Sequence, residues 1–344
     1  SHPAIINADH ECLPFAAADF TKSFADLTDA LLRIRAGEMP EPVYRKACED
    51  TSPWGKACFR LAKERQDIAL LFNVDVKKLK ALRDLGIRTI DDAADLNPET
   101  LEGQAPGLTF HALQTVARQA QSLRDESVII RKPYPKISPE AMGLEIHFDI
   151  ESHPPTDRDY LYGFWIREKE GERYQAFVAE RPEDEAKMWR AFLAWLPQLP
   201  SAYTVFHYGN YESARLSILA NRYGDQKNPW LEKFRSRLMD VKEIVRETAV
   251  FPIYFYSLKK IGTFLGFSWN GEVKEGGASV DAYDAWRASG DRTILNAILQ
   301  YNKEDVQATA YVMDWLCQYA EGEAIYCKPY PWSLAMVQRK QLAA

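Results

Sequence analysis

Apolar and polar positions in the second half of the chain alternate first with the period of strands and then with the period of helices. Three runs with strand periodicity come first: "LEIHFDIE" from residue 144, "DYLYGFWIRE" from residue 159 and "ERYQAFVAE" from residue 172. A helical pattern follows, "PEDEAKMWRAFLAWL", and it begins at Pro182. The run "AYTVFHY" predicts a fourth strand, and "YESARLSILANRYG" predicts the next helix. This order of elements predicts a mixed α/β domain, with a mixed sheet flanked by helices.

The first third of the chain has helical periodicity instead. Residues 19–66 predict a small all-helical region, interrupted at residues 37–42 by "GEMPEP", where a glycine and two prolines end a helix. Residues 73–101 predict two short helices joined by a turn at Gly86, and "TFHALQTVARQAQSL" predicts a third helix. A two-helix hairpin with a glycine turn is common as a simple packing element. The hairpin also has basic side chains that could contact a phosphate: Lys77, Lys78, Lys80 and Arg88.

A proline-rich segment separates these two patterns. Residues 129–143, "IIRKPYPKISPEAMG", hold three prolines in a polar setting, so they cannot continue a helix or a central strand. We therefore place a linker there. The predicted parts of the chain are 1–66, 67–128, the linker 129–143, the α/β domain 144–320 and a C-terminal tail 321–344. The chain opens with Ser1 and no initiating Met, so we expect a fragment of a longer protein.

Composition and charge exclude few classes of protein. The 344 residues are 46% hydrophobic and 27% charged, which is ordinary for a globular chain, and the formal net charge is −6. Bulk attraction to nucleic acid is therefore absent, which argues against a protein that coats duplexes non-specifically. An enzyme with a locally positive groove remains compatible, because affinity for phosphates depends on local charge. Five cysteines, no signal peptide and no apolar run long enough for a bilayer predict reduced thiols in a cytoplasmic protein with no membrane role.

Two acids stand near the end of the first predicted strand. Asp149 and Glu151 are separated by one residue, so on a strand both side chains point to the same face. Two neighbouring carboxylates repel each other unless a cation shares them, and divalent ions such as Mg²⁺ prefer oxygen ligands of this kind. The alternative is an exposed strand end whose acids pair with a nearby Lys or Arg, and on this motif alone it is the commoner outcome.

Two later segments supply further candidates. The strand that ends in "VFHY" turns at Gly209 and leads into a helix with Glu212 in its first turn. Near the C-terminus, "LQYNKEDVQATAYVMDWL" predicts a helix on which Tyr301 and Asp305 are four residues apart, so the phenol and the carboxylate share a face. Four acids and a tyrosine in this order favour a functional site over a surface ion pair.

These segments resemble the three exonuclease motifs of the DnaQ-like (DEDD) 3′-5′ exonucleases in the RNase H-like superfamily, the last motif in its Y-x-x-x-D form. More narrowly, "FHYGNYESARL", "FPIYFYSLKKIGTFLGF" and "YNKEDVQAT" resemble the YprB-like ribonuclease H domain of predicted RecB-family nucleases. The resemblance covers residues 144–316. It implies an RNase H-like fold and a DEDD-type 3′-5′ exonuclease that acts on single-stranded DNA, with a role in DNA repair.

The resemblance also implies a role for each residue of the set. Phosphodiester hydrolysis needs a nucleophilic hydroxide at neutral pH and charge stabilisation at the leaving oxygen, and two metal ions about 4 Å apart supply both. Two Mg²⁺ or Mn²⁺ ions would be bridged by Asp149, with Glu151 and Asp305 on the nucleophile side and Glu212 on the other. Tyr301 would orient the attacking water. Glu212 departs from the wider superfamily, which usually has Asp at this position, one methylene shorter.

The candidates for contacts to substrate are His207, Tyr208, Asn210, Ser257, Lys259 and Lys260. His207 would contact a substrate phosphate or a metal ligand, although a lone histidine is more often structural. The run "SLKK", residues 257–260, begins a helix, and a helix N-terminus with nearby lysines can hold a phosphate. A solvated basic face explains the same pattern equally well. Residues 276–279, "GGAS", predict a loop with no chemistry of its own.

The N-terminal helices carry two resemblances of their own. The run "CEDTSPWGKAC" resembles the C-terminal end of RecB-like nucleases with an iron-sulfur cluster, but Ser52 stands where another cysteine is expected. Only Cys12, Cys48 and Cys58 lie in this part of the chain, too few for the four thiolates of such a cluster, so we expect free thiols. The hairpin at residues 73–101 resembles helix-hairpin-helix modules, whose glycine turn approaches a DNA backbone.

Two functions from different classes remain open. The first is the metal-dependent nuclease, with nucleic acid as its partner and the N-terminal helices guiding or docking it. The second is a non-catalytic nucleic-acid-binding or scaffold module of a larger protein, in which further nuclease or helicase domains do the work. Four mutually repelling carboxylates favour catalysis, because a site that has lost its activity has no physical reason to keep them.

Overall fold

This computed structural model describes residues 4–6, 11–14, 16–39, 43–45, 52–131, 142–168, 171–271, 276–319, 324–327 and 339–341. The chain forms two compact units, Ser1–Arg65 and Gln66–Ala344. The candidate acids all belong to the second unit.

The first unit combines helices with a short strand pair. Its described elements are strands β1 (Ala4–Ile6) and β2 (Cys12–Pro14) and helices α1 (Thr21–Arg35) and α2 (Gly55–Glu64). β1 and β2 pair antiparallel, and both precede residues 19–66, for which the all-helical region is predicted; strands of three residues are too short to show a period. The elements described within 19–66 are helical. Helix α1 ends at the predicted break, where Gly37 has a φ of 100°. Cys12 and Cys58 are free thiols, and Cys48 lies outside the described residues.

The second unit begins with helices, two of which lie where the hairpin is predicted. They are α3 (Val76–Asp84), α4 (Ile90–Ala94), α5 (Pro98–Leu101) and α6 (Phe110–Arg124). The Asp75 side chain accepts hydrogen bonds from the first amides of α3, and Thr89 forms a capping box at α4. Between them Gly86 has a φ of 84°, in the left-handed region that favours glycine. The two helices and the glycine turn between them are present as predicted, whereas their packing as a DNA-binding hairpin stays a prediction.

A five-stranded mixed sheet forms the centre of the second unit. Its strands and those of a second sheet are, in chain order, β3 (Ser127–Ile130), β4 (Leu144–His153), β5 (Arg158–Glu168), β6 (Gly171–Val178), β7 (Tyr203–His207), β8 (Leu238–Asp240), β9 (Ala249–Val250), β10 (Ala324–Cys327) and β11 (Arg339–Gln341). The order of the large sheet is β6-β5-β4-β7-β8. β5 runs antiparallel to both β4 and β6, whereas β7 runs parallel to β4 and β8 parallel to β7. The four expected strands are present, and β8 is an addition.

The second sheet is antiparallel and has the order β11-β10-β3-β9. It takes in Ile129 and Ile130, although the prolines that follow predict no strand there; both isoleucines are buried, and they pair with β9. Of the expected linker, residues 132–141 lie outside the described residues. β10 and β11 come from the segment predicted as a C-terminal tail.

Helices complete the fold around the large sheet. They are α7 (Glu185–Trp195), α8 (Tyr211–Tyr223), α9 (Pro229–Arg235), α10 (Val241–Thr248), α11 (Leu258–Leu265), α12 (Gly276–Ser289) and α13 (Arg292–Tyr319). Phe148, Phe164 and Phe192 stack on one another in the core between the sheet and α7. The predicted mixed α/β fold is confirmed. Among the helices of the described residues, none has both the length and the apolar character that crossing a membrane requires.

Candidate metal centre

Strand β4, the middle strand of the large sheet, fixes two of the acids. Phe148 and Ile150 are buried in the hydrophobic core. Because side chains alternate along a strand, Asp149 and Glu151 point to the opposite face, and helix α13 packs against β4 and β5. The alternation therefore aims both carboxylates at the helix that carries the third acid.

Helix α13 contributes Asp305, one turn after Tyr301, and both side chains are buried. Carboxylate oxygens of Asp149, Glu151 and Asp305 lie within 4.8 Å of one another. We call these three residues the acid triad. The structure thus brings together three of the four acids that the sequence assigns to a metal site.

Each member of the acid triad accepts a hydrogen bond from a neutral side chain. The pairs are Asn302 Nδ2 with Asp149 Oδ2 (2.7 Å), Ser279 Oγ with Glu151 Oε2 (3.0 Å) and Trp269 Nε1 with Asp305 Oδ1 (2.6 Å). A neutral donor stabilises the ionised carboxylate without cancelling its charge. The charge therefore remains available to a cation.

Two buried acids elsewhere in this unit have a different kind of partner. Glu185 is fully buried and pairs with Arg158 and Arg222, each at 2.8 Å. Asp159, also fully buried, pairs with Arg215 at 2.7 Å. An arginine cancels the charge of its carboxylate, which makes these acids structural ion pairs. The sequence leaves open the alternative that Asp149 and Glu151 form ion pairs with a Lys or Arg. Their neutral donors disfavour that alternative.

The surroundings of the acid triad disfavour negative charge. Burial, and after it the charge of Asp305, raises the pKa of Glu151 from an ordinary value of 4.5 to about 8. Burial also raises the pKa of Asp149 well above its usual range, and the charge of Glu151 adds to the shift. Burial raises the pKa of Asp305 against the opposing charge of Lys259. A divalent cation that takes the place of the protons offsets the cost of burying these charges, so raised pKa values of this kind are expected of metal ligands before the metal binds.

Glu212 lies beside the acid triad and not within it. It is buried in the first turn of α8, and its charge contributes to the raised pKa of Asp149. His207 Nδ1, at the end of β7, lies 3.3 Å from Glu212 Oε2, but neither atom has a hydrogen-bond partner in the described part of the chain. A buried polar atom without a partner costs about 1–3 kcal/mol, and more if it is charged. A cation bound by Glu212 Oε2 would remove the cost for that oxygen.

Tyr301 lies next to Asp305, and its hydroxyl keeps its proton. Burial raises the pKa of Tyr301, and the charges of Asp305 and Glu151 raise it further. The hydroxyl is therefore a hydrogen-bond donor and not a base. Lys259 Nζ lies 4.3 Å from the centre of the Tyr301 ring, in the range of a cation–π contact. The site thus has a positive charge close to its acids.

The other predicted substrate contacts differ in exposure. Helix α11 begins at "SLKK" as predicted: the exposed Ser257 caps it by accepting a hydrogen bond from the Lys260 amide, and Lys260 is also exposed. Tyr208 donates its hydroxyl to the Tyr256 carbonyl oxygen at 3.1 Å, so it is engaged within the protein. Asn210 is exposed at the start of α8 and makes no capping bond with its side chain. Contact of these residues with substrate stays a prediction.

The sequence did not predict the three neutral donors. Ser279 belongs to helix α12, so the loop predicted at residues 276–279 is wrong; the hydroxyl is fully buried and lies 2.6 Å from the Tyr160 hydroxyl. Trp269 carries no motif signal, since it reaches Asp305 only through tertiary packing. Asn302 does carry a signal, because it directly follows Tyr301 in the last motif.

The carboxylate oxygens of this site are suitable ligands for a hard divalent ion. The acid triad offers carboxylate oxygens at close range, and Glu212 Oε2 is a further buried oxygen without a hydrogen-bond partner among the described residues. Oxygen ligands suit Mg²⁺ and Mn²⁺, whereas softer metals prefer thiolate or imidazole. The residues that would hold such ions are the acid triad and Glu212.

Comparison with known families places these acids in a recognised domain. The family model RNase_H_2, described as RNase_H superfamily, matches residues 146–317, half of the chain. The match begins in β4 and ends in α13, so it includes the acid triad and Glu212. Searches of curated proteins and of solved structures gave no match.

Proposed function

The chain belongs to the RNase H superfamily, and from this premise we propose that it is a metal-dependent nuclease that hydrolyses phosphodiester bonds. One observation carries the proposal: the oxygens of the acid triad lie within 4.8 Å of one another inside the matched residues, and the side chains that donate to them are neutral. Such a cluster attracts divalent cations and, through them, the phosphates of a nucleic acid.

The finer proposal is a DEDD-type 3′-5′ exonuclease that acts on single-stranded DNA with two Mg²⁺ or Mn²⁺ ions. The order of the acids supports it, together with the four-residue spacing of Tyr301 and Asp305 by which the last motif resembles the DnaQ-like enzymes. The buried Glu212 Oε2 supports a second ion, because it lies beside the acid triad and has no hydrogen-bond partner in the described part of the chain.

The residues divide the work of hydrolysis between them. Bound ions would supply a nucleophilic water at neutral pH and charge stabilisation at the leaving oxygen. The acid triad and Glu212 hold the ions, and the neutral donors orient the triad's carboxylates. Tyr301, which keeps its proton, donates a hydrogen bond that orients the attacking water. Lys259, against the Tyr301 ring, presents its charge to a substrate phosphate.

The decisive experiment compares cleavage of four labelled substrates: single- and double-stranded DNA and single- and double-stranded RNA, each with Mg²⁺, Mn²⁺ or EDTA. We expect single-stranded DNA to be shortened from its 3′ end, so that a 3′ label is released at once while a 5′ label gives a descending ladder. Asp149→Ala should abolish cleavage. Asp281→Ala, an exposed acid on α12, should cut as the wild type does.

The outcomes separate the parts of the proposal. Internal cuts would replace the exonuclease by an endonuclease, and cleavage of RNA alone would replace the substrate. A wild-type protein that binds the oligonucleotides but cuts none of them with either metal would favour the non-catalytic binding or scaffold module.

A further inference from the structure

A chain of hydrogen bonds reaches the acid triad through a residue that is not a ligand. Asn302 follows Tyr301 on α13 and is fully buried. Its Nδ2 donates to Asp149 Oδ2 at 2.7 Å, and its Oδ1 accepts a hydrogen bond from the Tyr174 hydroxyl on β6 at 2.8 Å. Both ends of the amide are therefore used, and they connect Asp149 on β4 to a strand that is not its neighbour in the sheet.

The strand between them makes room for this amide. Gly163 on β5 lies opposite Asp149 on β4 and opposite Ala176 on β6. A Cβ atom at Gly163 would overlap the Asn302 side chain and lie 2.9 Å from the Tyr174 hydroxyl oxygen. A glycine inside a strand often marks a close approach of this kind. The absence of a side chain at position 163 is thus what lets Asn302 reach the sheet.

The chain of hydrogen bonds also decides which end of the amide faces Asp149. Burial raises the pKa of Tyr174, so its hydroxyl keeps the single hydrogen that it can donate. That hydrogen is given to Asn302 Oδ1, which leaves the NH₂ group for the carboxylate. In the reversed orientation an amide oxygen would face a carboxylate oxygen, and two acceptors repel. The arrangement therefore presents a donor to an ionised Asp149.

We infer that Asn302 is a positioning residue of the metal centre: held by the Tyr174 hydroxyl in the space at Gly163, it sets the orientation in which Asp149 meets the metal ions. The inference rests on the proposed function, because it gives Asp149 the role of a metal ligand. Partners that orient a ligand in this way typically contribute about 10- to 100-fold to metal affinity.

The test measures the affinity of the full chain for Mn²⁺ by titration calorimetry, with thermal denaturation as the measure of folding. Asn302→Leu keeps the side-chain size and removes both hydrogen bonds, so we expect Mn²⁺ to bind about tenfold more weakly or worse. Gly163→Ala alters no ligand but displaces the amide, and it should shift the affinity in the same direction. Asn296→Leu, at an exposed asparagine of the same helix, is the control and should bind as the wild type does.

Tyr174→Phe is the mildest variant, since it removes one hydroxyl and keeps the ring in place. It should weaken Mn²⁺ binding several-fold by itself and add nothing in the Asn302→Leu background, because it acts only through Asn302. Tyr311→Phe removes a hydroxyl that donates to the Leu265 carbonyl oxygen at 2.9 Å, and it serves as the matched control. Tyr174→Phe keeps the test decisive even where Asn302→Leu or Gly163→Ala fails to fold.

Each outcome bears on the inference. Wild-type Mn²⁺ affinity in Tyr174→Phe and Asn302→Leu, with or without a lower melting temperature, would make Asn302 a merely structural residue and would leave the nuclease proposal intact. Additive losses in the double variant would overturn the connection through Asn302. A wild-type protein that binds no Mn²⁺ at all would overturn both proposals.

Discussion

The acid triad and two buried acids elsewhere in its unit differ in their hydrogen-bond donors. Asp159 and Glu185 pair with arginines, whereas the acid triad accepts hydrogen bonds from an amide, a hydroxyl and an indole. Burying a carboxylate costs free energy, and an arginine offsets that cost with its own charge, while a neutral donor offsets only part of it. The remaining part is recovered when a metal ion binds. The kind of donor thus distinguishes the acid triad from these two structural ion pairs.

At the same residue scale, Glu212 should be separable from the acid triad by the number of ions bound. Glu212→Gln keeps the size of the side chain and removes its charge. Because Glu212 lies beside the triad, we expect the variant to bind one Mn²⁺ where the wild type binds two. Calorimetric titration measures this number. Glu232→Gln, at an exposed position of α9, should leave it at two, and a Glu212→Gln protein that still binds two ions would remove Glu212 from the site.

At the scale of elements, helix α13 and the loop after α11 act together on Asp305. Glu304, next to Asp305, is buried and accepts hydrogen bonds from the backbone amides of Asn270 and Gly271, each at 3.2 Å. These amides directly follow Trp269, whose indole donates to Asp305. Two adjacent residues of the helix therefore hold this loop: Glu304 binds its backbone, and Asp305 accepts the hydrogen bond from its indole.

Glu304→Ala should release this loop. We expect the amides of Asn270 and Gly271 to exchange with deuterium about tenfold faster, because each loses its acceptor, and Mn²⁺ to bind more weakly because Trp269 is no longer held. Exchange measured by mass spectrometry and calorimetric titration test the two parts. Glu247→Ala, at an exposed position of α10, should change neither. Faster exchange with unchanged Mn²⁺ affinity would show that the loop does not support Asp305.

The elements that carry the acids are predictable because their periods are long enough to read. Apolar and polar residues alternate along β4 from residue 144 to residue 151, which fixes the face of Asp149 and Glu151, and the helical period places Tyr301 one turn before Asp305. The hydrogen-bond donors of the acid triad, in contrast, are not predictable from such periods. Ser279 lies 128 residues from Glu151, so only tertiary packing joins them. The need for glycine at position 163 likewise depends on Asn302, a residue of a distant helix, and no local pattern expresses it.

At the scale of the whole molecule, a second polar network holds the sheet to its helices. Glu185 on α7 accepts hydrogen bonds from Arg158 on β5 and from Arg222 and the Tyr223 hydroxyl on α8. The carboxylate is fully buried, so each of these donors loses this acceptor at once if Glu185 is removed, although Arg222 keeps its ion pair with Asp157. This network joins three elements without contributing to the acid triad.

Glu185→Ala should therefore lower the stability of the protein and spare its metal affinity. Breaking a buried ion pair costs about 3–5 kcal/mol, and partial exposure of Arg158 reduces this to about 2–4 kcal/mol of unfolding free energy. Urea denaturation measures the loss. Glu183→Ala, at an exposed position nearby, should be within about 0.5 kcal/mol of the wild type. A Glu185→Ala protein with wild-type stability would mean that solvent and Asp157 satisfy the two arginines without Glu185.

The stability of the whole molecule should also depend on pH through Glu151, whose pKa rises from an ordinary 4.5 to about 8 on folding. A raised pKa contributes stability that is fully present below 4.5 and is lost as pH rises through about 8, because the folded protein must then bury a charge that the unfolded chain solvates. With EDTA the melting temperature should fall between about pH 5 and pH 8, and the fall should be smaller in Glu151→Gln, which has no proton to lose.

Mn²⁺ should raise the melting temperature more at about pH 8 than at about pH 5, since fewer protons compete for the acid triad. An equal rise at both pH values would mean that the metal does not replace protons there.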